Sequence, residues 1–360
     1  MPPALSCHLD LVRFVAALAV LLAHLALPPF SDNALWWPLG RYGEAAVAVF
    51  FVLSGYVIAY VSQERETDGR RFASGRFSRL MSVALPALLV TAASDALVAF
   101  LQPAFYARPD VGGTGGLWSG YLASLLFINE WRIFGWGAVF PGSNSPWWSL
   151  SFEATYYLVA GLFLYFRRRW WFLLALGVLA LAGRTVIALF PLWLLGFVLY
   201  SRPPAWPFSG RTTTAIFWGA LLLVLALPMT QGWWPSSKLW FYMPWGRGPY
   251  NRDLVADYLV AAAFGLHLLA ARHHLQTRAA AAAQWVARVH GLGTLTFPLY
   301  LCHYPLLALA AVLSPFERSS GGHLALALVL TLGVAAVVAP WSDRLKDGIR
   351  HALARRARVT

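Results

Sequence analysis

Leu9 to Leu27 reads LDLVRFVAALAVLLAHLAL, a run of 19 residues that is apolar except at Asp10, Arg13 and His24. At ~1.5 Å of rise per residue such a helix covers about 28 Å, close to the hydrocarbon thickness of a bilayer, so the stretch is expected to span a membrane. Arg13 and His24 stand 11 positions apart. At ~100° per residue that spacing is three turns plus roughly 20°, which puts both side chains on one face with about 16 Å of rise between them. Ionisable groups at such depths are costly unless they face a cavity or a partner. The run therefore predicts a helix with a polar seam, one charge near its entry end and an imidazole far across.

The rest of the chain repeats the pattern. Of its 360 residues 59% are hydrophobic and only 12% charged, a balance that excludes an ordinary soluble domain. Apolar runs of spanning length fall at Leu9–Leu27, Glu44–Val61, Leu80–Gln102, Leu150–Phe166, Trp170–Gly183, Val186–Ser201, Thr213–Met229, Leu254–Ala271, Gly291–Leu313 and Leu324–Trp341. The fifth and sixth are divided by Gly183 and Arg184, and one long helix is the alternative there. The expected fold is thus an all-α polytopic membrane protein of about ten spans. A single transmembrane domain over residues 1–343 is followed by a basic tail, 344–360.

The net charge of +13 would favour nucleic acid in a soluble protein, but here Lys and Arg sit in short loops between apolar runs and report topology instead. With the N-terminus inside, 19 of the 28 basic residues fall on the inner side and 8 on the outer, with Arg13 in the membrane. The bias predicts both termini in the cytoplasm. No basic segment precedes the first run, so it is expected to be retained rather than cleaved as a signal peptide. Two cysteines, Cys7 and Cys302, show neither a disulfide framework nor metal-ligand spacing, and no metal or permanently bound cofactor is expected.

Two outer connections stand out. Pro103–Trp148 contains its own apolar piece, GLWSGYLASLLFIN at Gly116–Asn129, too short to span comfortably and expected to be a re-entrant or interfacial segment over the mouth of a cavity. An eleventh span is the alternative, and it would place the Arg167–Arg169 cluster on the wrong side. Thr230–Asp253 is rich in Trp, Tyr, Pro and Gly, which suits an interfacial belt or a platform for a sugar ring.

His24 is the candidate base, because an imidazole in apolar surroundings favours its neutral form, which can accept a proton from a hydroxyl. An interfacial histidine is the bland alternative. Arg13 lies too far along the helix to act on the same atoms; it either holds another part of a ligand or snorkels beside Asp10 one turn earlier. Arg76 and Arg79 share a helix face and suit either phosphate binding or positive-inside anchoring. Glu153 follows Trp147, Trp148 and Ser149 and can orient His24, accept from a bound sugar, or favour the positive end of its own helix, with Ser149 or Ser151 as cap. His303 lies mid-span between Pro298 and Pro305, lining a cavity or bonded to another helix. Gly55 is expected to permit close helix packing.

Taken together, Arg13-x10-His24, FFVLSGYVIAY at Phe50–Tyr60, Arg76-Phe77-Ser78-Arg79, WWSLSFEATYYL at Trp147–Leu158 and FPLYLCHYPLL at Phe297–Leu307 resemble, in order, the marked segments of the acyltransferase 3 family of integral-membrane acyltransferases. The resemblance implies a multi-pass protein of the bacterial inner membrane that moves an acyl group, chiefly acetyl, from cytoplasmic acyl-CoA to a hydroxyl of a glycan, exopolysaccharide or glycolipid. It implies His24 and Glu153 as catalytic residues and Arg13, Arg76 and Arg79 as holders of the donor's phosphates, with Asp10, Trp148, Ser149 and His303 in support. Relatives commonly carry a second acid after the first; here that position is Ala154. Some also carry a hydrolase-like C-terminal domain, which is not expected after Trp341. The competing readings are a flippase for a lipid-linked glycan, for which no inverted repeat is apparent, and a lipid-linked glycosyltransferase using Asp32 or Glu44.

Overall fold

A computed structural model of the chain describes residues 1–35, 39–108, 111, 117–131, 139–166, 169–230, 238–241, 250–276 and 279–356. Twelve helices account for most of these: α1 Pro3–Leu25, α2 Pro28–Ser31, α3 Leu39–Glu64, α4 Gly69–Leu101, α5 Leu117–Leu125, α6 Trp148–Tyr165, α7 Arg169–Ala182, α8 Arg184–Ser201, α9 Gly210–Ala226, α10 Leu254–Gln276, α11 Ala279–Leu313 and α12 Gly321–Arg356. Each of the ten apolar runs coincides with a helix. Eight described helices are long and apolar enough to cross a membrane, and the protein is an all-α polytopic membrane protein. The Trp- and Tyr-rich loop lies largely outside the described residues, except for two short antiparallel strands, β1 Lys238–Phe241 and β2 Tyr250–Asp253, which pair Lys238 with Asp253.

Local chemistry sets the helix boundaries. Proline at the first turn opens α1, where the missing N–H has no intrahelical partner to lose. Asp68 caps α4 by accepting from Arg71 N at 2.9 Å, and Asp253 does the same for Val255 N and Ala256 N at the start of α10. Gly183 takes φ 97°, a value that suits glycine, and separates α7 from α8 as two helices. Three helices outrun their apolar cores. α4 begins at Gly69, so Arg76 and Arg79 are helical; α11 begins at Ala279; and α12 continues through most of the basic tail, to Arg356.

α1 packs between α3 and α11, and α3 packs in turn against α8. The α3–α8 crossing is close because two glycines face each other's backbone. A Cβ at Gly55 would lie 1.8 Å from the Trp193 carbonyl oxygen, and one at Gly196 would lie 1.8 Å from that of Val52. Leu222 of α9 and Val329 and Val337 of α12 are exposed, as lipid-facing residues must be.

α5 has nine residues, a rise of about 13 Å, less than half the bilayer core. Its Trp118 and Leu122 face outward, while the chain that follows is fastened to the bundle. Ser151 of α6 donates to the carbonyl of Phe127, which holds φ 59°, an unusual conformation for a bulky residue, and Trp131 Nε1 donates to Thr155 Oγ1. Asp95 of α4 takes Tyr106 Oη at 2.6 Å, Ser143 Oγ at 2.6 Å and Ser143 N at 2.8 Å. Asn144 bridges Thr91 of α4 and the Leu301 carbonyl of α11. Burial and the Asp95 charge push the neighbouring Tyr121 phenol up to about 12, so it stays protonated. These bonds set the position from which α6 starts.

Candidate active site

α1, α3, α4, α6 and α11 enclose a cavity of about 240 Å³, and all three arginines named from the sequence line it. Their surroundings differ. Arg76 Nη2 contacts both carboxylate oxygens of Glu66, at 3.0 and 3.1 Å, in a largely buried ion pair. Glu66 follows the end of α3, and Gly75 makes room for it: a Cβ there would lie 2.3 Å from Glu66 Oε1. Arg13 pairs with Asp10 at 3.3 Å, one turn back on α1. Arg79 has no carboxylate partner among the described residues; its guanidinium lies 4.8 Å from the centre of the Phe297 ring.

Between the arginines and the start of α6 the cavity wall is mostly apolar, with Val47, Phe50, Val57 and Leu150 among its residues. Glu153 interrupts it. Its Oε1 accepts from Ser54 Oγ at 3.0 Å and from the hydroxyl of Tyr157, and Trp193 Nε1 donates to Ser54 at 3.2 Å. Further along, Ser149 Oγ donates to Tyr300 Oη at 2.8 Å, and both residues line the cavity.

Behind Tyr300 lies a pair of histidines. His303 Nδ1 is 2.7 Å from the Tyr300 carbonyl and His303 Nε2 is 3.0 Å from His24 Nδ1, which is itself 3.0 Å from the Val20 carbonyl. A carbonyl only accepts, so both Nδ1 atoms carry hydrogen. In neutral rings the one His24 Nδ1–H is then shared between the Val20 carbonyl and His303 Nε2, and His24 Nε2 is left with its lone pair. That nitrogen makes no hydrogen bond among the described residues, whereas His303 is 1% exposed. Tyr304 meets the His24 ring edge-on at 5.3 Å. The arrangement fixes the tautomer a base requires.

A sequence profile described as Acyltransferase domain matches residues 8–341, almost the whole chain. The chain belongs to the acyltransferase 3 family. Acyltransferase MdmB of Streptomyces mycarofaciens is 30% identical over 190 residues, covering 50% of this chain and 46% of the relative, so the match spans about half the length of that protein. No solved structure matches.

In this acyltransferase 3 protein the residues named from sequence fall into two groups. Arg13, Arg76, Arg79, Glu153 and Ser149 share the cavity, while His24 and His303 form their own pair beyond Tyr300. Among the described contacts Glu153 bonds Ser54 and Tyr157 and not His24. Trp148 packs on Phe51 and Phe152, at 6.2 and 5.1 Å between ring centres. Asp10 lies against Gly293 of α11, where a Cβ would come within 2.8 Å of its carboxyl carbon. Sequence reasoning missed Glu66, Ser54, Tyr157 and Tyr300. Two of these carried a signal: Tyr157 is four residues after Glu153 and Tyr300 three before His303, spacings that share a helix face.

Proposed function

We propose that the protein transfers an acyl group, acetyl in the first instance, from acyl-CoA to a hydroxyl of a glycan, exopolysaccharide or glycolipid, with His24 as general base. The observation that carries this reading is the cavity itself, with arginines at one end and, at the other, the wall behind which a correctly protonated histidine pair stands. Guanidinium groups suit the phosphates of coenzyme A. Arg79, which is not committed to a carboxylate, is the primary phosphate ligand, and Arg13 and Arg76 add to the field while keeping Asp10 and Glu66 as counter-ions. The apolar stretch between suits the pantetheine arm, and Glu153 can accept from one of its amide N–H groups. The inner excess of Arg and Lys supports a cytoplasmic donor side and both termini inside; the Streptomyces relative supports a bacterial inner-membrane setting, and the profile match over 8–341 supports residues 1–343 as one catalytic domain.

The test is acyl transfer by purified, reconstituted protein with radiolabelled acetyl-CoA and a panel of glycan acceptors. Wild type is expected to label an acceptor. His24→Ala is expected to lose transfer by at least about 100-fold, the scale of general-base catalysis, with donor binding and thermal stability retained. Transfer by His24→Ala at the wild-type rate would remove the histidine from the mechanism.

A further inference from the structure

The hydroxyl pair of Ser149 and Tyr300, which lines the cavity, has no assigned role. On α11, Phe297 lies against Arg79 and His303 against His24, so the axis from 297 to 303 leads from the phosphate end toward the base, a rise of about 9 Å. Tyr300 is halfway. Its hydroxyl and that of Ser149 are 2.8 Å apart, both line the cavity, and Ser149 stands in the first turn of the 18-residue α6, whose amino-terminal dipole favours negative charge. The Tyr300 ring is held in place by Phe50, edge-on at 5.7 Å, and the Tyr300 backbone carbonyl accepts from His303 Nδ1–H.

We propose that Ser149 and Tyr300 form the site that holds the thioester carbonyl oxygen as it becomes an oxyanion, which makes Tyr300 a catalytic residue. This rests on the reading of the cavity as the donor site. The acceptor hydroxyl oxygen attacks the carbonyl carbon, forming the new C–O bond while the carbonyl π pair moves onto oxygen, and His24 Nε2 takes the acceptor's proton. The oxyanion accepts from Tyr300 Oη–H, whose oxygen in turn accepts from Ser149 Oγ–H. Its collapse restores the carbonyl and breaks the C–S bond, and the proton on His24 passes to the departing coenzyme A thiolate, giving ester and free thiol. Donors aimed at an oxygen that gains charge only in the transition state lower the barrier without tightening ground-state binding.

Tyr300→Phe keeps the ring and its contact with Phe50 while removing the hydroxyl. In the reconstituted transfer assay it is expected to lower kcat about 100-fold, as loss of an oxyanion donor does, with KM for acetyl-CoA within about twofold of wild type and an unchanged melting temperature. Ser149→Ala, the second probe should Tyr300→Phe fail to fold, is expected to lower kcat in the same way, about tenfold or more. Wild-type kcat in either folded variant, or a raised donor KM at unchanged kcat, overturns the proposal. His24→Ala run alongside separates the two readings: if it is inactive while Tyr300→Phe is fully active, only the oxyanion site fails, whereas activity in both removes the base as well.

Discussion

Arg76 and Arg79 sit one turn apart on α4 and line the same cavity, yet they do not stand in the same electrostatic position. Arg76 is the buried partner of Glu66, and removing one member of such a pair leaves the other charge desolvated and uncompensated, at a cost of about 3–5 kcal/mol. Arg79 balances no carboxylate among the described residues. Arg76→Ala is therefore expected to lower the melting temperature sharply in detergent. Arg79→Ala is expected to leave it nearly unchanged while raising KM for acyl-CoA, about tenfold for a lost charge-assisted phosphate contact; unfolding scans and steady-state kinetics on the two variants check both halves. The helical spacing of the two arginines was readable in the sequence. Their inequality was not, because Glu66 reaches Arg76 across the turn between α3 and α4, and no periodicity reports a contact of that kind. The same limit applies to Asp95, whose partners Tyr106 and Ser143 reach it only once the segment after α4 folds back on that helix.

At the scale of elements, the glycine in LSGY signals close packing, and the structure supplies its partner. Gly55 on α3 and Gly196 on α8 each approach the other helix's backbone, where a methyl group has no flexible neighbour to displace. Gly55→Ala is expected to destabilise the bundle by at least the ~1–3 kcal/mol of ordinary overpacking, read as a lowered melting temperature. Because Ser54 is the adjacent residue and bonds Glu153, donor binding should weaken as well, seen as a raised KM for acyl-CoA. The positions of the helices followed from apolar runs because length and composition alone decide them in a bilayer. Where helices stop was less legible. α4, α11 and α12 continue into polar sequence, since a helix once formed extends cheaply by one hydrogen bond per residue, here even through Gly75 of α4 and Gly348 of α12. The fastening of the outer segment through Phe127 and Ser151 depends on one residue's left-handed backbone, which a phenylalanine does not advertise.

At the scale of the whole molecule, the central claim is a division of labour across the membrane. In the proposed reading donor phosphates are held at the arginine end, and acyl transfer happens about 16 Å of helix rise from Arg13, beside the His24–His303 pair. The Arg13-to-His24 spacing made that separation legible at once, whereas the cavity that runs from the arginines to Ser149 and Tyr300 required five helices in place. The most direct test uses proteoliposomes with uniformly oriented protein, radiolabelled acetyl-CoA supplied only on the face carrying the arginines, and a membrane-impermeant glycan acceptor that the purified protein labels confined to the opposite face. Labelled acceptor is expected in the compartment opposite the donor, and is expected to be lost with His24→Ala. Labelled acceptor found only when donor and acceptor share one compartment would contradict it.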